Sequence, residues 1–450
     1  MTPSYGAELI EDSICQRAII RKLSLIDEFS RLDEGLYSDF GGPLKMACIF
    51  VGGIAPLEMY SKEREASKSA LQNAAENFQN GFISGLVENN EEDIEVITAP
   101  FFSSWPSFHR SPYIRNAKSV DERGIKITGV GYVNFPIIKN IHKYINIRKA
   151  LSLRLMDVGG GCEVIVYSLN LAYLAAVASM KKIGVPVKTG VIVTDLPQHP
   201  GDCGLMYRLY LKHIEKRLLS RFLNDIDFFV LLTEQMSTEL KVDKRRCVIM
   251  EGLYDESRLM GGIADPKVRY GEKVVLYTGT LDHRYGIPRL VDAFKSISDR
   301  AVELWICGAG NSEDLVRQAA KDFPRIKFLG KKDRDEIALL QRHADLLINP
   351  RNNEGEYNRF SFPSKLMEYL ASGTPTLIYK LDGIPKEYYE FLYTVEELKG
   401  ETLAGAILRV LDIPETESKE RALSGSDFIK NRKNARKQVG RVLDFMRDKN

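Results

Sequence analysis

The stretch Val274-Val-Leu-Tyr277-Thr-Gly279-Thr-Leu-Asp-His-Arg284-Tyr-Gly286-Ile-Pro288-Arg-Leu-Val-Asp-Ala-Phe294 holds one complete strand–loop–helix unit. Its opening run is apolar without interruption, which suits a strand covered on both faces of a parallel sheet. A glycine-bearing loop follows, and a helix fits Pro288–Ile297, with proline near its start where a preset φ is welcome. The unit repeats downstream. Strand-like runs at Glu303–Cys307, Ile326–Leu329, Leu346–Asn349 and Thr376–Tyr379 alternate with helical stretches at Glu313–Phe323, Arg334–His343 and Pro363–Ser372.

Working upstream, the same kind of run appears at Met46–Val51, Ile94–Thr98, Val164–Tyr167, Gly190–Val193 and Phe228–Leu232, with helices at Leu169–Ile183 and Leu205–Phe222. Strands alternating with helices read as doubly wound α/β architecture. The expectation is two Rossmann-like domains facing across a cleft, with ligands outside the carboxyl ends of the strands. The limits expected are an extension over 1–43, helical in part at Ala18–Phe29, a first domain over 44–255, a linker over 256–271, a second domain over 272–428 and a basic helix over 429–450. That last helix is expected to pack back on the first domain.

Composition narrows the function classes. A chain of 450 residues is too long for one ordinary core. The net charge of +2 gives no reason to expect nucleic acid as a partner. Cys15, Cys48, Cys162, Cys203, Cys247 and Cys307 are scattered without a Cys-x-x-Cys pair, so neither a zinc site nor a disulfide framework is expected. No signal-peptide core opens the chain, and no stretch approaches the ~20 apolar residues a bilayer span needs. A cytoplasmic protein follows as the expectation. Asp225-Ile-Asp227 has metal-like spacing but runs straight into a strand, so no metal or other cofactor is expected.

The chemistry concentrates in Asn358-Arg-Phe-Ser-Phe-Pro-Ser-Lys-Leu-Met-Glu368-Tyr-Leu-Ala-Ser-Gly373-Thr-Pro375. Pro363 suits the first helical position, Ser361 or Ser364 can accept from free N–H groups there, and Gly373 can end the helix in the left-handed conformation. Lys365, Glu368 and Ser372 share one face, while Leu366, Met367, Leu370 and Ala371 take the opposite one. A cation in the first turn opposes the helix dipole, a conflict an incoming diphosphate would resolve. Glu368 can accept two hydroxyl hydrogen bonds, as a ribose diol offers. The competing reading is a surface Lys–Glu pair worth ~0.2–0.5 kcal/mol. Two further loops fit the same site: Gly279, Thr280 and Arg284 after one strand, and Gly308 and Gly310 after the next. For the latter pair a tight strand–helix turn is the competing reading.

The string YTGTLDHRYGIPRLVDAF … LWICGAG … IKFLGKKDRDEIALLQRHADLLINP … FSFPSKLMEYLASGTPTLI resembles the donor domain of glycosyltransferase family 4, the retaining enzymes of the B fold. The likeness covers Lys273 to Pro385 strongly. It extends more loosely over Val164 to Asp255, through VIVTDLPQH and FVLLTEQMSTEL … VIMEGLYD. It implies transfer of a sugar from a UDP- or GDP-sugar to a glycan or lipid-linked acceptor, with Glu368 as the ribose-holding second glutamate of the family's Glu-x7-Glu motif. The first glutamate position falls on Phe360, and the phosphate-holding Arg and Lys positions fall on Thr280 and Tyr285. Arg284, Ser364 and Lys365 stand nearby as substitutes, and the base would lie beside Gly330 and Lys331. The FPSK–EY–ASG helix resembles that of a bacterial surface-polysaccharide subgroup serving capsule, exopolysaccharide or lipopolysaccharide synthesis.

On the acceptor side, Gly52 and Gly53 close the first strand, and Asp195 and His199 follow the run ending at Val193. A carboxylate at a strand end could orient an acceptor hydroxyl or take its proton; an Asp before Leu-Pro also starts turns. Without a clear nucleophile, the resemblance implies a front-face reaction in which the leaving diphosphate takes the acceptor proton and the protein stabilises its growing charge. From Arg123 to Met156 there is no carboxylate, yet Lys126, Lys139, Lys143, Arg148, Lys149 and Arg154 occur. Leu205–Phe222 adds Arg208, Lys212, Lys216, Arg217 and Arg221. Such basic surfaces suit an anionic membrane, placing the protein peripherally at the inner face of the plasma membrane; solvated helix faces are the bland alternative. Two other functions fit the same fold: a nucleotide-sugar epimerase, and a degenerate nucleotide-sugar binder acting as a scaffold.

Overall fold

The computed structural model describes residues 47–68, 73–89, 93–136, 138–158, 162–196, 212–255, 273–298, 301–354 and 359–448, with 73 and 212–216 through their backbone alone. The expected Ala18–Phe29 helix, the 256–271 linker, His199 and Arg208 lie outside them, as do the side chains of Lys212 and Lys216. The described parts of 47–68, 93–191 and 212–227 form one compact unit. Those of 73–89, 192–196 and 228–448 form another.

The first unit is built on β1 (Ala47–Gly52), β2 (Ile94–Thr98), β3 (Tyr113–Ile114), β4 (Ala117–Val120), β5 (Lys126–Gly129), β6 (Tyr132–Val133), β7 (Cys162–Tyr167) and β8 (Val187–Val193). Its main sheet runs β8-β7-β1-β2-β5-β4. The β7–β1, β1–β2 and β2–β5 pairs are parallel, and β4 closes the edge antiparallel to β5. Every residue of β1 and β7 is buried, as continuous apolar runs require when helices cover both faces. The edge strand β4 alternates between half-buried and exposed residues, so one of its faces meets water. Helix Leu171–Lys182 is apolar all round and buried from Ala172 to Met180; Asn170 caps it by accepting from the Ala172 N–H. Its small alanines let helix Ile138–Val158 pack closely beside it.

In the second unit β9 (Phe228–Leu231) and β10 (Cys247–Ile249) pair in parallel. A six-stranded sheet then forms from β11 (Lys273–Thr278), β12 (Val302–Cys307), β13 (Ile326–Gly330), β14 (Leu346–Asn349), β15 (Thr376–Ile378) and β16 (Tyr393–Thr394). Its order is β13-β12-β11-β14-β15-β16, every pair parallel. Helix Ile287–Lys295 follows β11 and buries Ile287, Leu290, Val291 and Phe294. Gly286 opens it at φ 80°, and a Cβ there would stand 2.3 Å from the Pro350 carbonyl, so only glycine fits. Helix Arg334–His343 starts with a reciprocal capping box between Asp333 and Glu336.

The C-terminal helices are fastened from inside. The Lys433 ammonium, nearly sealed from water, donates to Glu251 and, over 2.7 Å, to Glu387. Tyr388 donates to the same Glu251 oxygen over 2.7 Å. Burial pushes the Glu251 carboxyl up, but the Lys433 charge and the hydrogen bonds from Lys433 and Tyr388 hold it below the ordinary carboxylate value. Helix Ala435–Arg447 then packs on helix Asn73–Glu88, where a Cβ on Gly85 would lie 2.5 Å from the Val439 side chain.

Candidate functional site

The carboxyl ends of β11, β12 and β13 carry three loops laced into one floor. The Gly279 N–H donates to the Cys307 carbonyl (3.0 Å) and Gly308 N–H to that of Gly330 (2.9 Å). Leu281 N–H donates to the Ala309 carbonyl (3.0 Å), and Ser312 N–H to that of Leu281 (2.8 Å). A Cβ on Gly308, at φ 150°, would sit 1.8 Å from the Gly279 carbonyl oxygen. That glycine is required by loop packing, whatever binds above it. Thr280, Gly310 and Lys331 are exposed along this floor, with Gly330 half-buried.

Helix Lys365–Ala371 stands beside the floor and opens two residues later than expected, with Pro363 ahead of it in a turn closed by Leu366 N–H to the Pro363 carbonyl (2.8 Å). The expected serine caps are not formed. Ser361 receives the Arg351 guanidinium, and Ser364 is exposed and makes no cap bond. Gly373 ends the helical segment at φ 73°, as expected. Leu366, Met367, Leu370 and Ala371 are buried, and so is Tyr369, which the sequence reading left without a role. Its hydroxyl donates to the Thr278 carbonyl (3.0 Å) and accepts from the Thr278 N–H (2.8 Å). Gln341 in turn donates to the Thr278 hydroxyl (3.0 Å). The helix is thereby pinned to the end of β11. The missed signal was a phenol inside an otherwise apolar face, since buried tyrosines find polar partners.

On the outer face, Lys365 donates to Glu368 over 2.6 Å, both side chains about one third exposed. They are neither sealed in the core nor released to bulk water. The positive charges of Lys365 and Lys332 both reach the Cys307 thiol, though burial still raises it overall. Arg284 lies against Asp282 in a two-pronged contact (3.0 and 2.8 Å), and the hydrogen bond from Arg284 holds the Asp282 carboxyl below its ordinary value. The Arg351 guanidinium lies 5.4 Å from the centre of the Tyr285 ring, so a cation does stand over the position where the resemblance loses a lysine.

The acceptor-side residues are placed as follows. Gly52 ends β1 and accepts from the Ala99 N–H. Gly53 faces the Phe101 ring, which a Cβ would meet at 2.5 Å. Asp195 follows β8 with its side chain reaching solvent, yet enough protein crowds it to raise its carboxyl above the ordinary range against the Thr194 hydroxyl at 3.4 Å. Asp227, just ahead of β9, is bound by Thr189 and Lys181. Two expected surface cations are corrected. Lys143 is buried, donating to the Ala99 and Pro100 carbonyls (3.1 and 2.9 Å) beneath the Tyr132 ring, and Arg154 pairs with Asp93 and Glu95. Among the described residues, no helix is long and apolar enough to cross a membrane.

Parallel sheets in two α/β units define the class: the fold is the B fold of the glycosyltransferases. Sucrose-phosphate synthase from Thermosynechococcus elongatus superposes with a TM-score of 0.60 at 16% identity, covering 89% of this chain and 98% of that one. The lipopolysaccharide outer core galactosyltransferase WaaB gives 0.59 at 13% (90% and 100%), and Anabaena HepE, solved in complex with UDP, gives 0.57 at 12% (90% and 100%). Within that class, residues 272–412 match the family described as Glycosyl transferases group 1. Phosphatidyl-myo-inositol mannosyltransferase of Mycobacterium leprae is 37% identical over 114 residues, 25% of this chain and 29% of that protein. Its Mycobacterium tuberculosis counterpart is 32% identical over 149 residues, 31% and 38% of the two chains. The match thus spans less than two fifths of these relatives' length.

Proposed function

We propose that the chain is a retaining glycosyltransferase that moves a sugar from a UDP- or GDP-sugar to a glycan or lipid-linked acceptor in surface-polysaccharide or glycolipid synthesis. In this reading residues 272–428 hold the donor and residues 44–255 the acceptor. The protein works in the cytoplasm, peripherally at the membrane, and needs no metal. The observation that carries the reading is the Lys365–Glu368 pair, about one third exposed and set beside the three-loop floor by the Tyr369 hydroxyl. An arriving diphosphate would draw Lys365 away from Glu368, whose carboxylate then accepts from the ribose hydroxyls. Arg284 and Lys365 stabilise the charge that grows on the leaving diphosphate. That diphosphate takes the proton of the attacking acceptor hydroxyl as the new glycosidic bond forms on the face the old one leaves. Asp195 orients that hydroxyl.

Calorimetry with UDP, GDP and ADP tests the site. One nucleotide is expected to bind, and Glu368→Gln should weaken it by about ten- to a hundred-fold, the worth of a charged hydrogen bond. Binding unchanged in that variant removes Glu368 from the site. Nucleotide released from a sugar-nucleotide panel only when a lipid extract is present identifies a transferase. Binding without release identifies a scaffold.

A further inference from the structure

Helix Ile138–Val158 holds a charge inside the first unit. Lys143 is 3% exposed. Its ammonium donates to the Ala99 and Pro100 carbonyls (3.1 and 2.9 Å) and stands 4.4, 5.8 and 6.0 Å from the ring centres of Tyr132, Phe101 and Tyr173. Both carbonyls have a second donor. The Tyr173 hydroxyl reaches Ala99 (2.5 Å) and the Tyr132 hydroxyl reaches Pro100 (2.6 Å), so the lysine is not needed to satisfy them. Nor is its charge balanced. Lys139, one turn earlier on the same helix, repels it; β6 and helix Leu171–Lys182 contribute the two phenols, and the β2 carboxylate Glu95 is taken by Arg154. Burial and Lys139 hold the ammonium well below the ordinary lysine value, while burial lifts both phenols above theirs. A sealed cation without a counter-charge costs stability, and groups kept at such a cost gather at functional sites.

The gripped segment leads to the turn after β1. The Ala99 N–H donates to the Gly52 carbonyl (3.0 Å), the Phe101 N–H to that of Gly53 (3.3 Å), and the Thr98 hydroxyl to that of Ile54 (2.6 Å). The Phe101 ring lies over Gly53, where a Cβ would meet it at 2.5 Å. One of these links continues the bond from Lys143. The Pro100 carbonyl and the Phe101 N–H belong to the same peptide, as do the Gly53 carbonyl and the Ile54 N–H. A cation on the first carbonyl strengthens the donor behind it, which draws on the Gly53 carbonyl and polarises the next peptide in turn.

We propose that Lys143 is a positioning residue of the transfer reaction, its charge acting through the Pro100–Phe101 peptide to fix and polarise the acceptor-side turn Gly52-Gly53-Ile54. The inference rests on the transferase reading above, which gives this unit the acceptor. It assigns a role to a buried amine that touches no substrate. Dipoles oriented before the acceptor arrives need no reorganisation during the reaction, so the effect falls on kcat.

Lys143→Met in the full chain tests it. Each carbonyl keeps its tyrosine, so the variant should fold and melt at or above the wild-type temperature. The margin should be widest at low pH. Between the lowered folded value of Lys143 and the unfolded one of about 10.4, the folded wild type binds fewer protons than the unfolded chain, so its stability climbs with pH and the margin closes. In nucleotide release from the sugar nucleotide that the panel identifies, with lipid extract present, the variant's kcat should fall at least about ten-fold and its sugar-nucleotide KM stay within about two-fold. Wild type at high pH is the second control. Its neutral amine still donates to both carbonyls, so charge alone is lost, and activity should fall through that titration along a limb the variant lacks. Amide resonances of isotope-labelled phenylalanine and isoleucine, with no substrate present, should show Phe101 and Ile54 moving together over the same range in wild type and standing still in the variant. Four results overturn the proposal: a variant that melts well below wild type, a variant with wild-type kcat, an alkaline limb common to both proteins, or amides that do not titrate. Amides that titrate in a wild type that transfers no sugar sink the transferase reading and leave the relay standing.

Discussion

At the scale of single residues, the groups that hold the site in place differ in kind from those offered to a ligand. Tyr369 belongs to the first kind. Tyr369→Phe leaves the buried Thr278 N–H without its acceptor, and should cost about 1–3 kcal/mol in urea unfolding. Loss within a few tenths of a kcal/mol would show that the phenol does not pin the helix. Lys365 and Glu368 are of the second kind: exposed enough to exchange partners, and as a pair worth only ~0.2–0.5 kcal/mol to the fold. Glu251 is charged and buried, and its carboxyl is held below the ordinary value, so its contribution to stability is present above the unfolded pKa of about 4.3 and lost as pH falls through the lower folded value. Glu251→Gln should flatten the acid limb of stability against pH. An acid limb as steep as wild type's would mean that other carboxylates set it. Lys433→Met, which strands that carboxylate, should be the harsher change.

At the scale of elements, what was legible in the sequence followed burial geometry. β1, β7, β11 and β12 read as strands because runs such as ACIFVG are apolar on both faces. Gly373 announced the end of its helix because only a positive φ continues the chain there. The start of that helix was misread by two residues. Proline at 363 suits a first helical turn and equally the bend before one. Helix Ile138–Val158 was not read as a helix at all. Ile145, Leu153 and Met156 on the outer face fill the gaps that a one-sided apolar stripe would leave, and the 3.6-residue period blurs. In the candidate site, Glu368 and the glycines were legible as residue types. Two things were not: that Gly308 answers to the Gly279 carbonyl, and that Arg284 already lies against Asp282. Both are contacts made by folding.

At the scale of the whole molecule, sequence-distant pieces share a unit. Helix Asn73–Glu88 carries Gly85 where Val439 of the C-terminal helix comes in. Gly85→Val should cost about 1–3 kcal/mol through overpacking and lower the melting temperature, with nucleotide binding unchanged wherever the protein stays folded. An unshifted melting temperature would show that the two helices separate freely. The side chain of Asn89 reaches the Arg436 carbonyl across 347 positions of chain. At ordinary ribosomal speeds of about 5–20 residues per second, the nascent helix must wait roughly 17 to 70 s before its partner emerges. During that interval its apolar side is open to chaperones. This polypeptide therefore completes its second unit only after residue 436 has emerged, and a ribosome stalled before that point would display a surface that the folded unit never shows.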